Sequence, residues 1–253
     1  AGAVSVMSAY CRHLGVDLSL AKVIGDTIRC PYHHWEYDQT GQCVKTAVGD
    51  TPPGRARLFR FPVSEHLGLV WVYSGAEPAY DPPRFTVPES ELEVYTCRSV
   101  EAAMDPFMLY SNSMDLQHLV SLHKVKFDTV PEEFDVRTHS ISYSQEMTAP
   151  KIGHSVQHVT LIGTNSIRLE SEINGRKSFL ISAGLCVQGP LTRTFNISAT
   201  EHSRNVKGGP VARLVEKVKT RLHVRLMDAW GKKLNAEVDP IFRTISPRLD
   251  NLS

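Results

Sequence analysis

Two short pairs near the start of the chain, Cys11-x-His13 and Cys30-x-x-His33, offer two thiolates and two imidazoles. Sixteen residues separate His13 from Cys30, enough for a hairpin that brings both pairs around one centre. A [2Fe–2S] cluster with two thiolates on one iron and two imidazoles on the other takes that donor set. The imidazoles raise its potential well above that of an all-cysteine cluster. A structural zinc ion takes the same donors. Zinc fingers, however, usually pair Cys with Cys and His with His, whereas each arm here supplies one of each. Each arm also carries loop chemistry: Leu14-Gly15 follows the first and Pro31 sits inside the second.

A second constellation, Asp115-x-x-His118-x4-His123, lies downstream. Two histidines and a carboxylate that leave coordination positions open suit a mononuclear Fe(II) that binds dioxygen. In a helix Asn112, Asp115 and His118 form one stripe, while His123 lies about 140° from His118. Both histidines reach one metal only if the helix ends or distorts between them. Val120 and Ser121, weak helix formers, are where that break is expected. Taken alone, the same residues also read as a polar helix face with incidental histidines.

The elements that must position these groups follow from pattern. Residues 1 to about 80 are short strand-like runs, such as Val4–Ala9, Lys22–Arg29, Ala56–Pro62 and Leu69–Tyr73, with turn chemistry at Asp38–Gly41 and Thr51–Gly54. Pro78-Ala-Tyr-Asp-Pro-Pro83 is a stiff segment that divides residues 1–83 from 84–253. Residues from about 98 to 124 read mostly as helix. From about 134 to 200, alternating runs predict a meandering antiparallel sheet, with turns at Asn174-Gly175 and Gly189-Pro190. Residues 210 to about 236 return to helix, with Val211, Leu214, Val215, Val218, Leu222 and Leu226 at near-helical spacing.

The stretch Cys30-Pro-Tyr-His-His-Trp-Glu-Tyr-Asp-Gln-Thr-Gly-Gln-Cys43 resembles the second cluster loop of Rieske non-heme iron oxygenases. His34 stands where that family usually has Gly. Neither loop carries the extra cysteine of respiratory Rieske proteins. Asn112-Ser-Met-Asp-Leu-Gln-His-Leu-Val-Ser-Leu-His123 is similar to the iron-binding helix of the terminal oxygenase (alpha) subunit. The resemblance leans to the homotrimeric monooxygenase branch, of the ketosteroid hydroxylase or aromatic O-demethylase type.

The resemblance implies an α+β chain, an all-β Rieske domain at 1–83 followed by a catalytic domain at 84–253 in which helices grip an antiparallel sheet. Cys11, His13, Cys30 and His33 would hold the [2Fe–2S] cluster. His118 and His123 would bind Fe(II), with Asn112 and Asp115 as catalytic-site residues. Asp115 would link His118 to the partner subunit's His33 in a trimeric ring. The third iron ligand would be Asp239, in Leu234-Asn-Ala-Glu-Val-Asp-Pro-Ile-Phe242, with Glu237 and Asp228 behind it. A carboxylate before Pro240 also reads as a helix N-cap. NAD(P)H electrons would arrive through a separate reductase, with or without a ferredoxin, and O2 would be reduced to hydroxylate a small hydrophobic aromatic or steroid-like substrate. The alternative is a Rieske electron-transfer protein with no mononuclear iron.

Bulk properties set the remaining bounds. The net charge of +1 over 253 residues gives no reason to expect nucleic acid. No apolar run reaches membrane-span length and no signal peptide opens the chain, which points to the cytoplasm. The chain begins at Ala1 without Met, ten residues ahead of Cys11, so preceding strands are expected to be missing. Cys43, Cys97 and Cys186 read as buried small hydrophobes, and Trp35 and Tyr37 as packing for the β unit. Arg204, Lys207, Arg213, Lys217, Lys219, Arg221, Arg225, Lys232 and Lys233 make the last helix basic, expected as a solvated face.

Overall fold

The computed structural model describes residues 2–96, 99–150, 153–173, 175–189, 191–202 and 209–244. Cys97, Asn174, Pro190, Arg204 and Lys207 lie outside the described residues, as do the side chains of Arg213, Lys217, His223, Leu226, Asp228 and Lys232. The chain divides into two compact units, Ala1–Pro82 and Pro83–Ser253.

The first unit is built from short strands: β1 (Val6–Met7), β2 (Lys22–Ile24), β3 (Thr27–Arg29), β4 (Glu36–Tyr37), β5 (Cys43–Lys45), β6 (Arg60–Phe61), β7 (Val63–His66) and β8 (Leu69–Val72). β2 to β5 form a meander, and β1–β6 and β7–β8 are antiparallel pairs. The run 22–29 is a hairpin rather than one strand, because Gly25, at φ 57°, reverses the chain. Cys11, Leu18, Cys30, Tyr37, Cys43, Ala56 and Leu58 form the buried core.

The second unit contains β9 (Leu92–Thr96), β10 (Val100–Ala102), α1 (Pro106–Ser111), α2 (Leu116–Ser121), β11 (Lys126–Thr129), β12 (Asp135–Arg137), β13 (Ser140–Ala149), β14 (Gly153–Ile162), β15 (Ser166–Ile173), β16 (Arg176–Gln188), β17 (Leu191–Glu201) and α3 (Pro210–Phe242). One antiparallel sheet runs β10-β17-β16-β15-β14-β13-β11, with β12 also on β13 and β9 also on β17. An all-β first unit followed by helices around one antiparallel sheet makes the α+β class that the resemblance implies.

The sheet register decides what lies beneath the helices. Tyr143 pairs with Val159, Gln145 with Gln157 and Met147 with Ser155, so these side chains share one face, and all are buried. On that face the Tyr143 hydroxyl donates to Ser113 O at 2.5 Å, and Tyr110 Oη and Ser182 Oγ are 2.9 Å apart. α3 packs along β17 and β10. Among the described residues no helix is long and apolar enough to cross a membrane.

Several expectations are corrected. Residues 98–124 are not one helix: β10 comes first, and α1, a 3₁₀ turn at Asn112–Met114 and α2 follow separately. Asp105 and Asp115 each cap a helix, accepting from Phe107 N at 2.8 Å and His118 N at 3.1 Å. Asp115, at φ −88° and ψ 93°, is extended, so Asn112, Asp115 and His118 do not form a continuous helical stripe. α3 runs six residues beyond its expected end near 236. Its spaced apolar residues Val211, Leu214, Val215, Val218 and Leu222 face outward, and Thr220, half a turn away, is buried instead. Cys186 is exposed near the end of β16, whereas Cys43 is buried as expected.

Candidate metal centres

The two cysteine loops of the first unit are closed in the same way. Cys11 N donates to Val16 O and Cys30 N to Trp35 O, each at 2.9 Å, so each cysteine is pinned by the residue five positions on. Gly15, at φ 75°, makes the first turn possible, and its N–H returns to Cys11 O at 2.8 Å. In the second loop His34 adopts φ 56° with a full side chain.

Both cysteines are buried, while the rings of His13 and His33 meet edge-on with centroids 4.6 Å apart. His13 stacks on Trp35 at 4.6 Å and 6° between planes. Burial pushes the Cys30 thiol up, opposed by hydrogen bonds from the backbone of Tyr32 and His33. The Tyr37 hydroxyl lies 3.2 Å from Cys11 Sγ and accepts from Arg12 N at 3.1 Å. Tyr37 therefore does more than pack. Its place two residues after Trp35 on β4 was the available signal.

The donor set fits a two-iron cluster, with two buried thiolates for one iron and two imidazoles whose rings meet for the other. Among the described residues no three His, Cys or acidic side chains converge on a single ion position. A cluster that takes two protein ligands per iron needs no such convergence.

In the second unit α2 ends at Ser121 and the chain reverses through Lys124, at φ 57°. That break was required by the spacing. It brings His118 Nε2 and His123 Nε2 to 3.0 Å. Two imidazoles at right angles on one first-row ion, with bonds of about 2.1 Å, hold their nitrogens about 3.0 Å apart, so the pair fits a cis metal site. Burial pushes both histidines below the ordinary imidazole range, with the nearby charge of Asp115 opposing the shift at His118. Burial thus favours the neutral form of both rings, the form in which imidazole binds a metal.

The acidic residues divide by helical geometry. Asp239 accepts from Arg243 Nε at 2.8 Å and from Ala103 N at 3.4 Å. Glu237 instead places Oε2 3.9 Å from His123 Nδ1, with Lys233 3.4 Å from its other oxygen. Residues two apart in an α-helix point about 200° apart, so the two carboxylates cannot face the same histidine while α3 stays regular. The structure thus brings the runner-up Glu237, and not Asp239, to the histidine pair. Asn112 lies in the 3₁₀ turn, where its Nδ2 is buried without a hydrogen-bond partner.

Residues 1–55 match the Rieske [2Fe–2S] domain. The chain carries a Rieske [2Fe–2S] domain in its first unit. It is 36% identical over 90 residues to a 3-ketosteroid-9-alpha-monooxygenase oxygenase component of Rhodococcus rhodochrous, a match covering 36% of this chain and 24% of that protein. It is 30% identical over 155 residues to the 3-chlorobenzoate-3,4-dioxygenase oxygenase subunit of Comamonas testosteroni, covering 58% and 34%. The matched stretches thus span about a third or less of these relatives' own length. NdmA of Pseudomonas putida CBB5, solved with caffeine, has the same fold at TM-score 0.72 and 22% identity, covering 98% of this chain and 73% of its own. Dicamba monooxygenase bound to dicamba superposes at TM-score 0.61 and 17% identity, covering 94% and 85%.

Proposed function

We propose that the chain is a terminal oxygenase component in which the first unit relays electrons and the second binds Fe(II) and reduces O2 to hydroxylate a small hydrophobic substrate. The carrying observation is the His118–His123 pair at 3.0 Å, on the same chain as a Rieske domain. The names of the curated relatives, a ketosteroid monooxygenase and a chlorobenzoate dioxygenase, support a steroid-like or aromatic substrate.

In this reading Cys11, His13, Cys30 and His33 hold the cluster, and His118 and His123 hold the mononuclear iron. When bound, the cluster supplies single electrons and the iron supplies oxygen activation. The chain's own residues do the rest. Burial of Cys11 and Cys30 shields the sulfur side from water, and the stack of His13 on Trp35 fixes one exposed imidazole. Asp115 caps α2 and lies close enough to His118 to act on its charge. The third iron ligand is proposed to be Asp239, which requires its carboxylate to leave Arg243 and Ala103 N and the turn that carries it to depart from regular helix. Electrons would come from NAD(P)H through a reductase, with or without a ferredoxin. A trimeric ring would set the partner subunit's His33 near Asp115.

The test is EPR on anaerobically reduced protein, before and after nitric oxide is added as an O2 surrogate. A Rieske signal joined by a high-spin iron–nitrosyl signal is expected. His118→Ala should lose the nitrosyl signal alone. A Rieske signal without any nitrosyl signal in iron-replete protein would leave an electron-transfer protein.

A further inference from the structure

His123 has one nitrogen with an evident use and one without. Nε2 faces His118, whereas Nδ1 is buried and has no hydrogen-bond partner. A neutral imidazole carries its proton on one nitrogen and a lone pair on the other, and the partner of one nitrogen decides which. The group standing off Nδ1 is the Glu237 carboxylate, with Oε2 at 3.9 Å. From there it needs to close by about 1 Å to accept a hydrogen bond. Glu237 is half exposed on α3 and has the freedom to do so, while Lys233 steadies its other oxygen.

We infer that Glu237 is a positioning residue, which accepts the Nδ1–H of His123 and so turns the Nε2 lone pair toward the metal. The inference rests on the reading of His118 and His123 as iron ligands. It also separates the two acids of α3. A carboxylate at the Nδ1 edge stands across the ring from Nε2, so Glu237 acts through His123 and not as a ligand beside it. Carboxylates that hold metal-bound histidines in this way typically change metal affinity 10- to 100-fold when removed.

The test compares wild type, Glu237→Ala and Glu237→Gln, all with the cluster loaded. Long-range 1H–15N spectra of 15N-histidine-labelled protein, before iron is added to the mononuclear site, read the tautomer directly. Wild type should show His123 as the Nδ1–H form. Glu237→Ala should lose that preference, and Glu237→Gln, whose amide oxygen still accepts, should keep it. Fe(II) titration read by the nitrosyl EPR signal should show Glu237→Ala weakened roughly 10- to 100-fold, with Glu237→Gln recovering most of the loss. Unchanged tautomer and affinity in Glu237→Ala would overturn the inference. So would a nitrosyl signal abolished in both variants as it is in His118→Ala, since that marks a direct ligand. A wild-type protein with no nitrosyl signal would sink the iron site itself, while the tautomer spectra would still decide whether Glu237 holds His123.

Discussion

The Tyr37 hydroxyl accepts the Arg12 N–H at 3.1 Å, which leaves its own proton to point at Cys11 Sγ, 3.2 Å away. A hydrogen bond to a cluster sulfur stabilises the reduced, more negative state and raises the potential. Tyr37→Phe removes it without opening a large cavity. At a net worth of about 1 kcal/mol, the potential should fall by roughly 40 mV for a one-electron couple, read by an EPR-monitored redox titration. An unchanged potential would mean that the hydroxyl only packs.

Acid should loosen the first unit through Glu36. Its carboxylate lies 2.8 Å from Arg29, with Thr27 and Lys45 also in reach. The hydrogen bond from Arg29 holds it below its ordinary value of 4.5, against the opposing effect of burial. A carboxyl lowered in the folded state stabilises above its unfolded value and loses that contribution as pH falls through the folded one. Thermal melts of wild type should therefore drop below pH 4.5 more steeply than those of Glu36→Gln, which starts lower and responds less to acid. Parallel pH curves would contradict this.

His34 occupies the left-handed region at φ 56°. A non-glycine residue there costs about 1–2 kcal/mol, whereas glycine adopts it freely but gives back about 0.5–1 kcal/mol in unfolded-chain entropy. His34→Gly should gain about 0.5–1 kcal/mol, seen as a higher urea midpoint for the cluster-loaded protein. A lower midpoint would show that the imidazole contributes contacts worth more than its backbone costs.

At Gly184 the α1 side chains Pro106 and Tyr110 lie close against the sheet. A Cβ there would stand 2.8 Å from Thr192 Cγ2, 3.0 Å from the Tyr110 ring and 3.2 Å from Pro106 Cβ. Gly184→Ala should destabilise by about 1–3 kcal/mol through overpacking. A chain of this size loses about 2–4 °C of melting temperature for each kcal/mol. No change in melting temperature would mean that α1 shifts freely on the sheet.

What the sequence made legible was local. The cluster loops could be read because each is sealed within six residues, from Cys11 to Val16 and from Cys30 to Trp35. The meeting of His118 and His123 depends only on where α2 stops. The misread helix over 98–124 came from passing over two caps, Asp105 before Pro106 and Asp115 before Leu116, which break the pattern into separate pieces. The acid on α3 was a harder problem. Glu237 and Asp239 are equally plausible by composition, and the one that meets His123 is set by how α3 rolls on β17 and β10, more than a hundred residues from the histidines. The same roll turned the regularly spaced Val211, Leu214, Val218 and Leu222 outward. Periodicity marks a stripe, but only the neighbouring element decides which stripe is covered.

Pro240 sits inside α3, directly after Asp239. It has no N–H to return to the Ala236 carbonyl, and its ring crowds that oxygen. The turn that ends at Pro240 is therefore one bond short of a regular helix. Opening the helix there forfeits less than opening it anywhere upstream, so the backbone amides beyond Pro240 should exchange with solvent ahead of the rest. The missing bond spans Ala236 to Pro240, so the one weak turn of α3 is the turn that carries both Glu237 and Asp239, and whatever loosens one acid loosens the other.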